Sequence, residues 1–153
     1  ISKAKASNLS LVSNISIEQH IDIFYTNFLK FGISQKDLVV YARLCGVLIT
    51  NNAGKIYAVF DEFNNLVASS LIAIDAQRVY YLNGAANQKG RGIGASHWML
   101  SEIMKNYFGK TFDFEGSNIE GVSRFYAGFG ANKTSYSTIK INRLPFYLKW
   151  VKS

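Results

Sequence analysis

The feature that most constrains this chain is a glycine-rich segment between an apolar run and an amphipathic stretch. The segment consists of Lys89, Gly90, Arg91, Gly92, Ile93 and Gly94. Residues 78–84 are apolar and aromatic, which predicts a strand, and residues 93–108 have the apolar spacing of a helix. The first N–H groups of a helix lack internal partners, and its dipole adds about half a positive charge there. Together with the charges of Lys89 and Arg91, these free N–H groups predict a site for a phosphate-bearing ligand. The amides of this site would be those from Arg91 to Ala95.

The bulk composition describes one ordinary domain. The chain has 153 residues, of which 48% are hydrophobic and 18% charged, and we treat residues 1–153 as a single globular domain. Cys45 is the only cysteine, so the sequence predicts no internal disulfide and a packing role for this thiol. No apolar run reaches the roughly 18 residues of a membrane span, and no signal peptide is visible. These features predict a cytoplasmic protein.

The net charge of +7 is compatible with a role in solubility alone or with an anionic partner, such as a nucleotide-containing cofactor, RNA or an acidic surface. The basic residues are scattered, with no run of five or more. That distribution favours a nucleotide-containing cofactor over a nucleic acid as the main partner. Two histidines and one cysteine give no metal-ligand spacing. We expect His20 to face solvent and His97 to pack inside a helix.

The order of predicted elements indicates a mixed sheet. Helices begin at two capping boxes, Ser16 with Gln19 and Ser34 with Asp37. The predicted strands are residues 9–15, 55–61, 66–74, 78–84, 111–114 and 135–141, with a further apolar segment at residues 144–151. The strand–helix–strand step across the glycine-rich segment requires a parallel pair. The sequence therefore predicts an α/β fold, with a mostly antiparallel central sheet, one parallel pair and flanking helices.

This order, with Lys-x-x-Gly-x-Gly after the fourth central strand, resembles the GNAT acyltransferases. That resemblance implies that the backbone amides of the glycine-rich segment hold the pyrophosphate of acetyl-CoA or another acyl-CoA, and that the parallel strands splay apart. It also implies that Tyr126, four residues before Gly130, protonates the departing thiolate. Lys89 replaces the family's Arg or Gln. The family's Asn before this helix is matched only approximately by Asn118.

A second resemblance is more specific. Residues 112–117 and 124–130 are similar to the strand end and helix of FemAB-like proteins, which contain two GNAT-like domains. This resemblance implies that the chain is the second half of a longer protein whose upstream domain is missing. The best-known members transfer amino acids from aminoacyl-tRNA to peptidoglycan precursors. Many of those members carry a long helical-hairpin insertion that this sequence lacks, which makes aminoacyl-tRNA the less favoured partner.

Acyl transfer to an amine would assign roles to a few further residues. A backbone N–H near Leu82, Asn83 and Gly84, where the sequence permits a bulge, would stabilise the carbonyl oxygen. Asp113 and Glu115 end a strand beside this place. We expect them to point to opposite faces, with Glu115 the preferred general base. The acceptor would be a small-molecule amine or a cell-wall precursor.

Each of these roles has a structural alternative. The glycine-rich segment is also compatible with a simple tight turn, and Tyr126 with core packing among neighbouring aromatic residues. Asp113 could cap the loop that follows it. The whole chain could be a non-catalytic domain that keeps the fold and pairs with a partner.

Overall fold

The computed structural model of the protein describes residues 8–28, 32–116 and 119–135. In this part of the chain there are five strands and five helices, in the predicted order except that two helices rather than one lie between the fourth and fifth strands. The elements are β1 (Ser10–Ser13), α1 (Ile17–Phe28), α2 (Gln35–Thr50), β2 (Gly54–Phe60), β3 (Leu66–Ile74), β4 (Arg78–Ala86), α3 (Gln88–Ile93), α4 (Ala95–Asn106), β5 (Thr111–Asp113) and α5 (Glu120–Ala127). The strand predicted for residues 135–141, the segment 144–151 and Asn118 lie outside the described residues, apart from Ser135.

The strands form one sheet in the order β1-β2-β3-β4-β5. The first four are paired antiparallel, and β5 lies parallel to β4. The helices between β4 and β5 make the crossover that a parallel pair requires. The predicted mixed α/β sheet with one parallel pair is therefore confirmed.

The sheet buries a core on each face. The larger core contains Met99, Leu100 and Ile103 of α4 against the sheet residues Tyr57, Val59, Ile72 and Tyr81. The smaller one contains Cys45 of α2 against Ile56 and Leu71. Adjacent residues such as Leu71 and Ile72 belong to different cores because successive strand side chains point to opposite faces. The buried thiol of Cys45 confirms its predicted packing role.

Both predicted capping boxes are present. At α1 the Gln19 amide N–H donates to Ser16 Oγ, and the Ser16 N–H donates to Gln19 Oε1, each at 3.2 Å. At α2 the N–H of Ser34 donates to Asp37 Oδ2 at 2.8 Å, and Asp37 returns the bond to Ser34 Oγ. Each box satisfies two backbone donors that the helix itself leaves without partners.

The glycine-rich segment is a short helix, α3, and this corrects the prediction of a loop that opens one long helix. The Asn87 side chain caps it by accepting from the Gly90 N–H at 2.8 Å. Gly94 then adopts a left-handed conformation with φ of 72° and separates α3 from α4. Glycine supplies that conformation without the steric cost that other residues bear.

No helix in the described ranges combines the length and apolar character needed to cross a bilayer.

Candidate active site

The parallel strands β4 and β5 pair over only three residues. The last pair is Tyr80 with Asp113, whereas β4 continues to Ala86. Along residues 81–86 no described strand pairs with β4 on the side of β5. β4 therefore continues beyond the end of β5, and we call its edge along residues 81–86, which has no strand neighbour among the described residues, the gap.

A β-bulge lies at the start of this gap. Leu71 of β3 pairs with Asn83 and the next residue, Ile72, pairs with Tyr81, so Leu82 is an extra residue in β4. This confirms the predicted bulge near Leu82, Asn83 and Gly84. A bulge disrupts the regular ladder and leaves a backbone group of the strand unpaired.

At the glycine-rich segment, where a phosphate site was predicted, the backbone amides are not all available to a ligand. The Arg91 N–H donates to the Asn87 carbonyl at 2.9 Å, and the Gly94 N–H donates to the Arg91 carbonyl at 3.2 Å. Those two amides are therefore used within the protein. The N-terminus of α4 follows directly, and Gly94, as its N-cap, supplies no side-chain cap. The first-turn amides of α4, from Ala95 to His97, have no carbonyl partner within the helix.

The three glycines of the segment differ in the space around them. A Cβ on Gly90 would lie 2.1 Å from the Val67 carbonyl oxygen, so Gly90 is needed for α3 to pack on β3. A Cβ on Gly92 would meet nothing within 4 Å, and the same holds for Gly94. The corner before α4 is therefore open rather than filled by side chains.

Lys89 lies in an internal ion pair. Its Nζ donates to Asp61 Oδ2 at 2.6 Å, and the Asp61 side chain is only 2% exposed. The hydrogen bond from Lys89, followed by those from backbone groups of the turn, lowers the pKa of Asp61 far below its usual range. The ammonium predicted for phosphate binding is thus paired with a buried carboxylate, although the Lys89 side chain itself is half exposed. The exposed Arg91 donates through Nη1 to the Ala86 carbonyl at 2.9 Å, which holds the guanidinium group at the end of β4.

Tyr126 lies in an aromatic cluster that closes one side of the gap. Its ring stacks on Phe114 with centroids 4.4 Å apart, and it meets Tyr81 edge-on at 6.1 Å. Burial raises the pKa of Tyr126, so the phenol is protonated at neutral pH and can act as a donor. The packing alternative and the donor role are compatible, because the ring packs while the hydroxyl is the polar end.

The expectation that Asp113 and Glu115 both end one strand was wrong, because Glu115 lies beyond the strand. β5 ends at Asp113, and Glu115 has a left-handed backbone with φ of 59°. Asp113 pairs with Arg78 at 3.3 Å and accepts from the Glu115 N–H at 2.9 Å, which is the capping role given as its alternative. Glu115 is exposed. Its unfavourable backbone conformation is a local cost of the kind found at functional sites.

The sequence reading missed a buried polar network behind the bulge. His20 is fully buried, not solvent-facing. Its Nδ1 lies 2.7 Å from Ser69 Oγ, and its Nε2 lies 2.6 Å from the Tyr41 hydroxyl. Asn83 Nδ2 donates to the same hydroxyl. The Tyr41 proton must then go to His20 Nε2, which places the imidazole proton on Nδ1, directed at Ser69. Burial lowers the pKa of His20 to about 4.

His97 packs, as predicted. Its ring lies 4.3 Å from that of Phe125 and 5.2 Å from that of Phe129, centroid to centroid. A separate cleft of about 320 Å³ lies between α1, the start of β3 and the cap of α3. None of the predicted site residues lines that cleft; its lining residues are Gln19, Asp22, Ile23, Thr26, Leu66 and Asn87.

Comparison with known proteins identifies the fold. No family model matches the sequence, and no curated protein matches it. A possible acetyltransferase from Clostridium difficile 630 superposes with a TM-score of 0.68 at 10% identity, over 90% of this chain and 99% of that chain. A predicted acetyltransferase from Clostridium acetobutylicum, solved with acetyl-CoA, gives 0.64 at 19% identity, over 88% and 96%. The chain therefore has the fold of the GNAT acetyltransferases.

FemX, a longer protein, shares this fold. It superposes with a TM-score of 0.67 at 11% identity. The match covers 81% of this chain but 50% of FemX, so the chain corresponds to about half of that protein.

Proposed function

We propose that this protein is an acyltransferase that moves an acyl group from acyl-coenzyme A, such as acetyl-CoA, to the nitrogen of an amine. The observation that carries the proposal is the edge of β4 that has no strand neighbour beyond the end of β5. This edge includes the bulge, and β4 leads through α3 to the N-terminus of α4. Solved structures with this fold that contain acetyl-CoA or a coenzyme A bisubstrate analogue support the choice of donor.

Each part of the site then has a task. The amides of α4 from Ala95 onward, with the Arg91 guanidinium group nearby, bind the diphosphate. The backbone N–H in the bulge at residues 82–84 donates to the carbonyl oxygen as negative charge develops there. Tyr126 donates the proton that the leaving sulfur needs. When bound, the donor supplies an activated thioester.

The amine must lose a proton, and Glu115 is the proposed acceptor of that proton. Its carboxylate is exposed beyond the end of β5, whereas Asp113 is already paired with Arg78. Glu115 follows the last residue of β5 by two positions, and its N–H donates to Asp113 Oδ1 at 2.9 Å. Asp113 is the second candidate for this role.

The first experiment measures the melting temperature with and without acetyl-CoA. A ligand at about 100 times its Kd stabilises the native state by about 2.7 kcal/mol, which for a domain of this size raises Tm by roughly 5–10 °C. Pantetheine and inorganic diphosphate serve as fragment controls and should each give a smaller shift. If acetyl-CoA at saturating millimolar concentration leaves Tm unchanged, the proposal is wrong.

The second experiment tests the predicted phosphate site. Gly92→Val places a side chain in the open space before α4, and we expect it to weaken acetyl-CoA binding by roughly tenfold to 100-fold, the value of one lost bond to a charged group. Gly46→Val is the matched control, because Gly46 is also helical and its Cβ would also meet nothing within 4 Å. Equal Kd values for both variants, measured by calorimetry, would assign the segment a structural role only.

The alternative function is aminoacyl transfer to a peptidoglycan precursor by the second half of a FemAB-like protein. The match to half of FemX favours it. Transfer from aminoacyl-tRNA, with no response to acetyl-CoA, would support this alternative.

A further inference from the structure

The larger core contains a tyrosine hydroxyl whose position demands an explanation. The Tyr81 side chain is only 6% exposed. Its ring contacts Phe114 and Tyr126 edge-on, with centroids 6.1 Å away in both cases. Within residues 8–28, 32–116 and 119–135, no group forms a hydrogen bond with the Tyr81 hydroxyl. A hydroxyl that has no partner within the protein keeps its proton available for a hydrogen bond to a ligand.

The hydroxyl lies over the bulge. A Cβ built on Gly84 would lie 1.9 Å from Tyr81 Oη, so the hydroxyl occupies the space where any other residue at position 84 would place its side chain. The Tyr81 hydroxyl can occupy this position only because residue 84 has no side chain. Because Leu82 is the extra residue of the bulge, Tyr81 and Gly84 lie on the same face of β4 although they are three positions apart.

The same place holds a second polar atom without a partner. Ser70 of β3 pairs directly with Gly84, and directly paired residues share a face. Ser70 Oγ is buried and has no hydrogen-bond partner among the described residues. Two hydroxyls that lack partners thus lie on one face of the sheet, beside the residues where β4 has lost its pairing with β5.

We propose that Tyr81 is a second catalytic tyrosine, whose hydroxyl donates a hydrogen bond to the sulfur of the acyl donor as that sulfur becomes a thiolate. This inference rests on the proposed acyltransferase function. Tyr81 contacts Tyr126, and its hydroxyl lies over Gly84 of the bulge. The thioester end of the donor must lie beside it if the carbonyl oxygen of the donor is at the bulge.

The two tyrosines divide the work. The acyl carbon–sulfur bond breaks as the carbon–nitrogen bond forms, and the sulfur retains the electron pair. Tyr126 transfers its proton to that sulfur and recovers one from water. Tyr81 keeps its proton and donates a hydrogen bond to the same sulfur. Burial, followed by the nearby Tyr126, raises the pKa of Tyr81, which keeps it a donor throughout.

The adjacent tyrosine provides a matched control. Tyr80 precedes Tyr81 in β4, and its hydroxyl donates to Asp75 at 2.8 Å on the exposed side of the protein. Tyr80→Phe and Tyr81→Phe therefore each remove one hydroxyl from neighbouring positions of the same strand. Only the second substitution removes a hydroxyl that faces the gap.

The test combines stability with a property of bound coenzyme A. Urea unfolding of Tyr81→Phe should give a midpoint equal to or above that of the wild type, because the lost hydroxyl has no partner to leave behind. The thiol pKa of bound coenzyme A, followed by the ultraviolet absorbance of the thiolate, should rise by about one unit, a tenfold smaller thiolate ratio. Tyr80→Phe should leave that pKa unchanged. Turnover of acetyl-CoA by Tyr81→Phe should fall by about 100-fold, the usual effect of one lost donor.

The outcomes separate this inference from the proposed function. Wild-type protein that fails to bind coenzyme A and acetyl-CoA overturns both. Wild-type protein that binds and turns over acetyl-CoA, with the same thiol pKa and turnover in Tyr81→Phe, overturns the role of Tyr81 alone. A clear loss of stability in Tyr81→Phe relative to Tyr80→Phe also overturns it, because the hydroxyl would then have a structural partner.

Discussion

The two faces of the sheet differ at the bulge of β4. On the face of α1 and α2, His20, Tyr41 and Ser69 form a continuous set of hydrogen bonds that Asn83 joins. On the face of α4 and α5, the hydroxyls of Tyr81 and Ser70 have no partner in the described part of the chain. Burial is similar on the two faces, so burial does not explain the difference. We interpret the bonded set as support for the backbone of the bulge and the unbonded hydroxyls as groups that await a ligand.

One atom on the bonded face departs from this pattern. Asn83 Oδ1 is buried and has no partner among the described residues. Asn83 belongs to the bulge itself, so it is the member of the network nearest to the gap. The network therefore contacts the bulge through the Asn83 side chain. Its one buried side-chain atom without a hydrogen-bond partner among the described residues is Asn83 Oδ1.

The largest effect should come from the face with unbonded hydroxyls. Tyr126→Phe removes the proposed proton donor, and we expect kcat to fall by about 10²–10⁴-fold, the usual contribution of general acid catalysis. KM should change little, since the stacked ring remains on Phe114. Steady-state kinetics with acetyl-CoA and an amine acceptor measure both constants. An unchanged kcat would remove Tyr126 from the mechanism and weaken the contrast between the two faces.

The next effect belongs to the bonded face and appears as pH dependence. The pKa of His20 is about 4 in the folded protein, whereas an unperturbed histidine has a pKa of 6.5. Below pH 6.5 the unfolded chain binds a proton that the folded chain refuses, so stability falls as pH decreases. The loss should approach about 2 kcal/mol by pH 5 and about 3 kcal/mol at pH 4.

Urea unfolding at several pH values between 7 and 5 measures this loss. Aspartates and glutamates titrate mainly below this interval. The slope of unfolding free energy against pH therefore comes mainly from the histidines. His20→Gln should flatten it, whereas His97→Gln, at a less buried position, should change it less. An unaltered slope in His20→Gln would mean that the histidine is not held neutral by the network.

A smaller effect should link the bulge to the unbonded face. Gly84→Ala places a methyl group against the Tyr81 hydroxyl, and we expect a loss of about 1–3 kcal/mol in unfolding free energy. The double variant Gly84→Ala with Tyr81→Phe should recover part of that loss, since the hydroxyl is the nearest atom to the new Cβ. Strictly additive effects in denaturant unfolding would contradict the contact between these two positions.

Local chemistry made much of the fold predictable. The capping boxes at Ser16 and Ser34 join residues three positions apart, so the sequence alone specifies them. The bulge could be anticipated because Asn83 and Gly84 tolerate irregular backbone.

The remaining features depend on partners distant in the sequence. His20 bonds to residues 21 and 49 positions away, and no local pattern identifies them. Its burial had one signal, since it follows Ile17 by three residues and precedes Phe24 by four and thus shares their helix face. Asn87, three residues before Gly90, is a residue type that commonly caps helices. It could have predicted the start of α3, but the glycines that follow it favoured a loop. The pairing of Lys89 with Asp61, 28 residues away, had no local signal.

That ion pair affects how salt influences the proposed donor site. With the ammonium of Lys89 committed to Asp61, a diphosphate beside α4 would meet the backbone amides and one exposed full charge, that of Arg91. Interactions between exposed full charges weaken as the salt concentration rises. The salt dependence of donor affinity should therefore be that of one charged side chain rather than two, and Arg91→Gln should remove most of it.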